Sequence, residues 1–480
     1  MMTRAVDNPS VLKTRRGKLI LALLCSVGFL DFVDAVIINV ALPSIQHRFD
    51  FSDQGLQWVA TGYLLTYGGF MLLGGRAADL IGRRRVLVTG VVLFALASLI
   101  GGLATTASLL VGGRIVQGAG AALMMPAALS LLTTTFEEGP DRHRALGIWG
   151  GVLGLASAAG VLLGGVLTEK FGWRWVLLIN PFVCVLLLAA IYRLLPDDRR
   201  RASRASFDAP GAVFGTGGML LLVYAVVEAP HAGWGSLSTI VRLAGAVLLL
   251  VAFVVNEHRR PNPLMPLSIF RVRGLAAADA TQLIAIAGFL SMFFFLTLYM
   301  QNVLGYSALR TGIVYLPVTV GVGLGAGAAT KLIPRLGTRP LIVGGSVVAS
   351  VGVFLLSRLP VHGDYVTDLL PGMIVMSLGL GVVMVSIANA ANAGVPADKA
   401  GLAASLLNSS QQLGGALGLA VLTTVATSHT TDLLAAGTPT PDALAAGFNR
   451  ALLACGIAIL VAAAIGLRTR NTRSNEAPPM

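Results

Sequence analysis

Residues 19–43 read LILALLCSVGFLDFVDAVIINVALP, an apolar run that carries two carboxylates, Asp31 and Asp34. About 20 helical residues at 1.5 Å each cover the roughly 30 Å of hydrocarbon in a bilayer. Arg4, Lys13, Arg15, Arg16 and Lys18 precede the run, as they would in a secretory leader. The run continues to Leu42, too long for a leader's apolar core, so it is read as an uncleaved first membrane helix.

Runs of this length recur through all 480 residues, of which 55% are hydrophobic and 12% charged. Mean hydropathy is +0.79. A soluble chain carries about a quarter charged residues. The expected spans are 19–42, 56–75, 86–104, 108–132, 146–168 and 173–195, then 209–228 and 236–256. Six more follow at 274–300, 309–331, 339–357, 367–391, 401–426 and 447–467. The fold class is therefore an all-α polytopic bundle of about fourteen transmembrane helices.

The net charge of +13 could suggest a nucleic-acid partner, but its placement argues for a membrane. With the N-terminus in the cytoplasm, the clusters Arg83-Arg84-Arg85, Arg199-Arg200-Arg201 with Arg204, Arg259-Arg260 and Arg468 with Arg470 all fall inside. That is the positive-inside pattern, and it fits an even number of helices with both ends cytoplasmic. Cys25, Cys184 and Cys455 all lie in apolar runs, with no metal spacing and no disulfide framework. No cofactor or metal is expected.

An internal echo divides the chain. Gly82-Arg83-Arg84 and Gly337-Thr338-Arg339 join apolar runs 255 positions apart, and Arg144-Ala145 matches Lys399-Ala400 at the same offset. This predicts a cytoplasmic tail 1–18, a six-helix bundle 19–195, and a linker 196–273 with two inserted helices. A second six-helix bundle 274–467 and a tail 468–480 follow. Repeated halves are typical of secondary transporters, with the substrate site between them near the midplane.

An ionisable group deep in hydrocarbon needs a partner or a function. Asp31 and Asp34 stand three residues apart on one helix face, close enough to titrate jointly. Asp34 lies roughly 12 Å, and Arg114 of the fourth helix roughly 9 Å, from the external ends of their helices. The matching depths allow a buried Asp34–Arg114 pair that protonation of Asp34 would loosen. A purely structural carboxylate is the alternative at both acids. Asp279 is expected to snorkel to the cytoplasm, and Glu228 to pair locally with Arg242. Asn39, Gln117, Gln282, Asn408, Gln411 and Gln412 either line a cavity or bond helix to helix.

The fifth helix carries Gly147, Gly150, Gly151, Gly154, Gly160, Gly164 and Gly165, several of them four apart. Such a small-residue face permits close approach of another helix, in static packing or at a moving interface. The segment Gly75-Arg76-Ala77-Ala78-Asp79-Leu80-Ile81-Gly82-Arg83-Arg84-Arg85 sets an acid near a helix C-terminus, where the dipole disfavours it. Asp79 therefore wants a donor, such as a neighbouring helix N-terminus or a loop arginine, and could latch the cytoplasmic side.

With these residues in view, nearly the whole chain resembles the fourteen-helix drug:proton antiporters of the major facilitator superfamily. Asp34 to Pro43 looks like the first-helix motif of that group, with Asp34 at its acidic position. Gly75 to Arg85 resembles the signature loop between helices two and three. Arg114-Ile115-Val116-Gln117-Gly118-Ala119-Gly120 is similar to the fourth-helix motif, whose arginine is implicated in proton coupling. Gly172-Trp173-Arg174-Trp175 with Ile179-Asn180-Pro181 resembles the segment entering helix six. Gly160 to Gly165 follows the antiporter motif of helix five, with Val161 where the motif has proline.

The resemblance implies export of hydrophobic drugs or natural products, cationic ones included, by alternating access between two six-helix halves in exchange for protons. In that reading Asp34 and Asp31 serve proton coupling with Arg114, and Gly75, Asp79, Gly82, Arg83 and Arg84 form the gating loop. Gly154, Gly160, Gly164 and Gly165 form the antiporter face, and Asn39, Gln117, Gln282 and Gln411 line the cavity. The partners are the small molecule, protons and the lipid bilayer, with the chain acting as a monomer. High Ala, Gly and Arg content is associated with GC-rich bacterial genomes, which places the chain in a bacterial inner membrane. One rival is an uptake symporter on the same fold, disfavoured by the helix-five glycines. A membrane enzyme or sensor is a second, for which the scattered histidines supply no catalytic cluster.

Overall fold

The computed structural model describes residues 12, 14–136, 140–196, 208–260, 263, 265–272, 274–395 and 400–473. The expected tails, the 199–204 arginine cluster and Lys399 lie wholly or mostly outside these residues, as do the side chain of Asp79 and the surroundings of Gly154. The described residues are helical, with no strand among them.

The first six helices are α1 (Arg15–Phe49), α2 (Asp53–Ile81), α3 (Arg83–Gly102), α4 (Ala107–Thr135), α5 (Pro140–Lys170) and α6 (Arg174–Leu194). Two more follow, α7 (Ala209–Ala232) and α8 (Leu237–Arg259). The rest are α9 (Leu275–Leu298), α10 (Ala308–Val314), α11 (Leu316–Leu336), α12 (Thr338–Leu356), α13 (Leu370–Asn392), α14 (Ala400–Ala435) and α15 (Thr440–Gly466). Each expected span contains a helix, but several run further than hydropathy suggests. α1 continues through Pro43 to a left-handed cap at Asp50, with His47 and Arg48 in its last turn. Cations there suit the helix dipole, and hydropathy does not register them as helix. The expected span 309–331 is broken at Tyr315 into α10 and α11. Pro317 has no N–H to continue the ladder, so the break falls just before it.

Among the described residues, ten segments are long and apolar enough to cross a membrane. The count of fourteen spans thus remains an expectation. The exterior is strongly apolar, with Leu237, Leu186 and Leu248 each about 70% exposed or more. Water would not tolerate so continuous an apolar surface; lipid does. The chain is a multi-pass membrane protein.

Backbone contact through glycine sets the packing. A Cβ on Gly120 would stand 2.7 Å from the Phe94 nitrogen, closing α4 on α3, and one on Gly118 would strike the Tyr63 carbonyl of α2. The same device recurs where Gly379 of α13 meets Ala349 of α12 and Gly381 meets Val322 of α11. The echoed junctions also match in geometry. Gly82 between α2 and α3 has φ 109°, and Gly337 between α11 and α12 has φ 84°. Each ends one helix and starts the next in a conformation that favours glycine.

α7 and α8 lie against each other, and α7 touches both α2 and α14. At their shared end Asp208 caps Gly211, accepts from Asn256 Nδ2 at 2.7 Å and faces Arg260 at 3.8 Å. The local Glu228–Arg242 pair expected at the other end does not form. The Arg242 guanidinium sits 5.1 Å over the Tyr224 ring instead, where the ring face offers a cation a partner without ordering an acid.

Glycine positions should therefore divide sharply in tolerance. Gly381→Val puts a methyl-bearing Cβ onto the Val322 carbonyl, 2.1 Å away, and should abolish the monodisperse peak in size-exclusion chromatography. Gly344 has nothing within 4 Å, so Gly344→Ala should keep that peak and raise thermal stability by about 0.5–1 kcal/mol.

Candidate functional site

The deepest polar cluster is built from the first six helices. Asp34 of α1 is fully buried and Arg114 of α4 is 1% exposed. Arg114 Nη1 donates to Asp34 Oδ2 at 2.7 Å and to Gln117 Oε1 at 2.7 Å, while its Nε donates to the Val59 carbonyl of α2 at 3.0 Å. The other Asp34 oxygen accepts from Gln117 Nε2 at 2.9 Å and Asn180 Nδ2 of α6 at 2.5 Å. Ser98 of α3 accepts from both amides, at 2.8 and 2.9 Å. Five helices thus converge on one ion pair, and both Asp34 oxygens are bonded.

Asp31 belongs to the same polar region but turns to α2. Tyr63 and Tyr67 donate to its two oxygens at 3.0 and 2.8 Å. Tyr63 also presents its ring face to Arg114, with the guanidinium carbon 4.2 Å from the centroid. One tyrosine therefore touches both acids' arrangements: its hydroxyl serves Asp31 and its ring the cation of Asp34. Gln412 of α14 lies within hydrogen-bond reach of the Tyr67 hydroxyl. On the same helix Gln411 accepts from Gln282 of α9 at 3.2 Å. Among the described residues, Asn39 bonds back to the Ala35 carbonyl of its own helix.

Of the residues expected at the site, Asp34, Arg114 and Gln117 come together, with Asp31 alongside. Gln282 and Gln411 form a separate pair. Asn180, Ser98, Tyr63 and Tyr67 complete the cluster. Asn180 could be seen only within the segment entering helix six, and the hydroxyl residues had no distinguishing pattern. Asp279 departs from expectation: it does not snorkel. It is 7% exposed, and neither carboxylate oxygen has a hydrogen-bond partner among the described residues. α9 is buried on nearly all sides, so no aqueous path is open to so short a side chain.

The expected gating residues lie at the end of the bundle where α1 begins. Gly75 approaches Pro126 and Ser405, and Arg84 donates to the Tyr192 carbonyl at 3.4 Å and covers its ring. Arg83 is engaged as well. The side chain of Asp79, expected to take part in the latch, lies outside what is described.

The glycine face of α5 is used unevenly. Gly160 and Gly164 pack on Val36 and Ile37 of α1, and Gly165 on Leu309 of α10. Gly312 of α10 in turn meets the Val161 carbonyl, the position where the antiporter motif has proline. Nearby, Gln301 donates to the Val40 carbonyl, Asn302 to Gln46, and the Leu309 N–H to Glu169, all at 3.1–3.2 Å. Toward the opposite end, Gly147, Gly150 and Gly151 face nothing within 4 Å.

The family described as Major Facilitator Superfamily matches residues 24–419. The chain is 41% identical over 454 residues to the puromycin resistance protein pur8 of Streptomyces alboniger, covering 93% of this chain and 88% of that one. It is 40% identical to the cephamycin export protein CmcT of Amycolatopsis lactamdurans, covering 94% and 92%. The fold is similar to an auto-inhibited peptide transporter of the POT family, with a TM-score of 0.67 at 15% identity over 97% and 99% of the two chains.

Removing one charge from a buried pair strands the other, at a cost of about 3–5 kcal/mol. Arg114→Gln should therefore lower thermal stability sharply, and adding Asp34→Asn should recover part of the loss. Additive losses in scanning fluorimetry across this double-mutant cycle would contradict a coupled pair.

Proposed function

Because the chain belongs to the Major Facilitator Superfamily, we propose that it is a proton-coupled exporter that works by alternating access between two six-helix halves, α1–α6 and α9–α15. In this reading there are fourteen spans, with α10 and α11 counted as one. Both termini are cytoplasmic, the membrane is a bacterial inner membrane, and the chain acts alone. The substrate is a hydrophobic drug or natural product, with cationic ones included.

The observation that carries the reading is the Asp34–Arg114 pair, sealed from solvent and held by α2, α3 and α6 as well as by its own helices. A proton on Asp34 would cancel the charge that holds Arg114 and free that cation to seek the Val59 and Gln117 oxygens alone. The site can thus exchange one strong interaction for a proton, which is what coupling needs. Asp31, held by two tyrosines rather than a cation, would serve as a second station beside it. The direction of transport rests on the relatives, one described by resistance to puromycin and one by export of cephamycin.

Alternating access is supported by the α5 glycines. Contacts between the two sets of helices through α1, α5, α9 and α10 gather at what would be the external end. The bare Gly147, Gly150 and Gly151 lie toward the cytoplasmic end, where a second set of contacts could form when the halves rock. Gly75, Asp79, Gly82, Arg83 and Arg84 would latch that end.

Ethidium flux in proteoliposomes under an imposed pH gradient tests the coupling. Wild type should move the dye against its gradient, and Asp34→Asn should lose the gradient-driven part. Equal driven flux in the two would remove Asp34 from the mechanism. In cells, expression should lower dye accumulation; a rise would favour uptake.

A further inference from the structure

The segment entering α6 supplies Asn180 to the Asp34 cluster, but its Trp173, Arg174 and Trp175 take no part there. With the N-terminus cytoplasmic, Arg174 lies at the external end, where the positive-inside pattern makes cations scarce. Its Nη2 donates to the Ala104 carbonyl just beyond α3 at 2.9 Å, and its guanidinium carbon lies 4.7 Å from the centroid of the Trp173 ring. Among the described residues no acid forms an ion pair with it and no other acceptor bonds it. A guanidinium carries five donors, so most of this one's capacity is unused by the fold.

Below it, on the lipid side of α3 and α6, runs a groove of about 570 Å³ whose lining residues are all apolar, Leu99, Trp175, Leu178 and Phe182 among them. Gly101 and Gly102 close α3 on Leu177 and Leu178, and Ser98 accepts from Asn180 at 2.9 Å. The groove is therefore the outer face of a helix contact whose inner face holds Asp34. From Trp175 to Leu186, the last lining residue, α6 rises about 16 Å, close to the hydrocarbon depth of one leaflet. Arg174 reaches from α6 to the end of α3 across the external mouth of this groove. Trp175 and Phe171, both exposed with ring centroids 6.2 Å apart, stand beside it as aromatic side chains do at a membrane interface.

A cation over a leaflet-deep apolar trough complements one kind of molecule, which carries a phosphate at the interface and a hydrocarbon chain beneath it. The planar guanidinium suits phosphate oxygens, which it can bond two at a time. A second copy of the chain fits less well. Neither α3 nor α6 carries an acid, so a symmetric pairing through this face would bring two arginines together with no counter-charge.

We propose that Arg174 and the α3–α6 groove bind one anionic phospholipid of the external leaflet, with its phosphate on the guanidinium and one acyl chain in the groove. The chain lies against Leu99 and Pro181, the neighbours in sequence of Ser98 and Asn180. It thereby braces from outside the contact that holds those two residues together at the Asp34 cluster. The site requires only that the chain is embedded with its N-terminus cytoplasmic, and it is independent of proton coupling.

Native mass spectrometry of the full-length protein, titrated with phosphatidylglycerol or phosphatidylcholine, tests this. Wild type should retain one phosphatidylglycerol about fivefold more tightly than phosphatidylcholine, as one arginine near an anionic headgroup implies. R174Q should lose that preference, and R174K should regain part of it. V185W, which fills the groove from its lipid-facing side, should weaken both lipids and keep the wild-type melting temperature. The proposal fails if wild type shows no preference, or if R174Q keeps it. Equal weakening of both lipids in R174Q, with a lower melting temperature in lipid-free detergent, would mark a mere cap on α3 and overturn it. So would displacement of the lipid by glycerophosphoglycerol, the headgroup without chains, which would mark a free-phosphate site. A dimer that V185W dissociates would give the face to a second copy instead. Every one of these failures leaves the exporter reading to be judged by driven flux alone.

Discussion

The cost of placing a carboxylate away from water organises this molecule. The Asp34 carboxyl is accommodated away from water because a guanidinium, two amides and a serine hydroxyl shared by those amides surround it. Those groups come from α3, α4 and α6, so satisfying one side chain fixes the relative positions of four helices, and Val59 adds α2. Close approach through glycine makes the convergence possible, because bulkier residues at Gly118 or Gly120 would hold α4 away from α2 and α3. Electrostatics and packing are therefore one constraint here. The ion pair requires tight crossing, and the crossing leaves the pair without water.

Much of this was legible in the sequence, for a physical reason. Hydrocarbon excludes charge so strongly that Asp34 and Arg114 stood out, and equal depth from the helix ends made them partners. Long apolar runs gave the helices, and the Gly82 and Gly337 junctions announced the same turn twice. Other features carried no such signal. Ser98, Tyr63 and Tyr67 are ordinary residues in apolar helices, and only the fold shows that their hydroxyls meet at one place. Glu228 and Arg242 looked like partners by proximity to adjacent helix ends, yet an aromatic face took the cation. Asp279 misled because distance from a helix end says nothing about which neighbours surround it. The break at Tyr315 was foreshadowed by Pro317, but hydropathy reads through proline.

The helices differ in what surrounds them. α2, α5 and α14 make contacts that join the first set of helices to the last. α8 lies at the outside, with Leu237, Val241, Leu248 and Val251 all exposed, and it is paired chiefly with α7.

One consequence follows from where α7 lies. The two sets of helices meet along two seams, one between α2 and α14 and the other between α5 and α10. α7 covers the first, with Thr216 bonded to the Gly69 carbonyl at 2.8 Å, whereas among the described residues neither α7 nor α8 makes a comparable contact along the second. The extra hairpin thus breaks the molecule's lateral symmetry: a greasy solute dissolved in the surrounding leaflet meets a walled flank on one side and an unbuttressed one on the other.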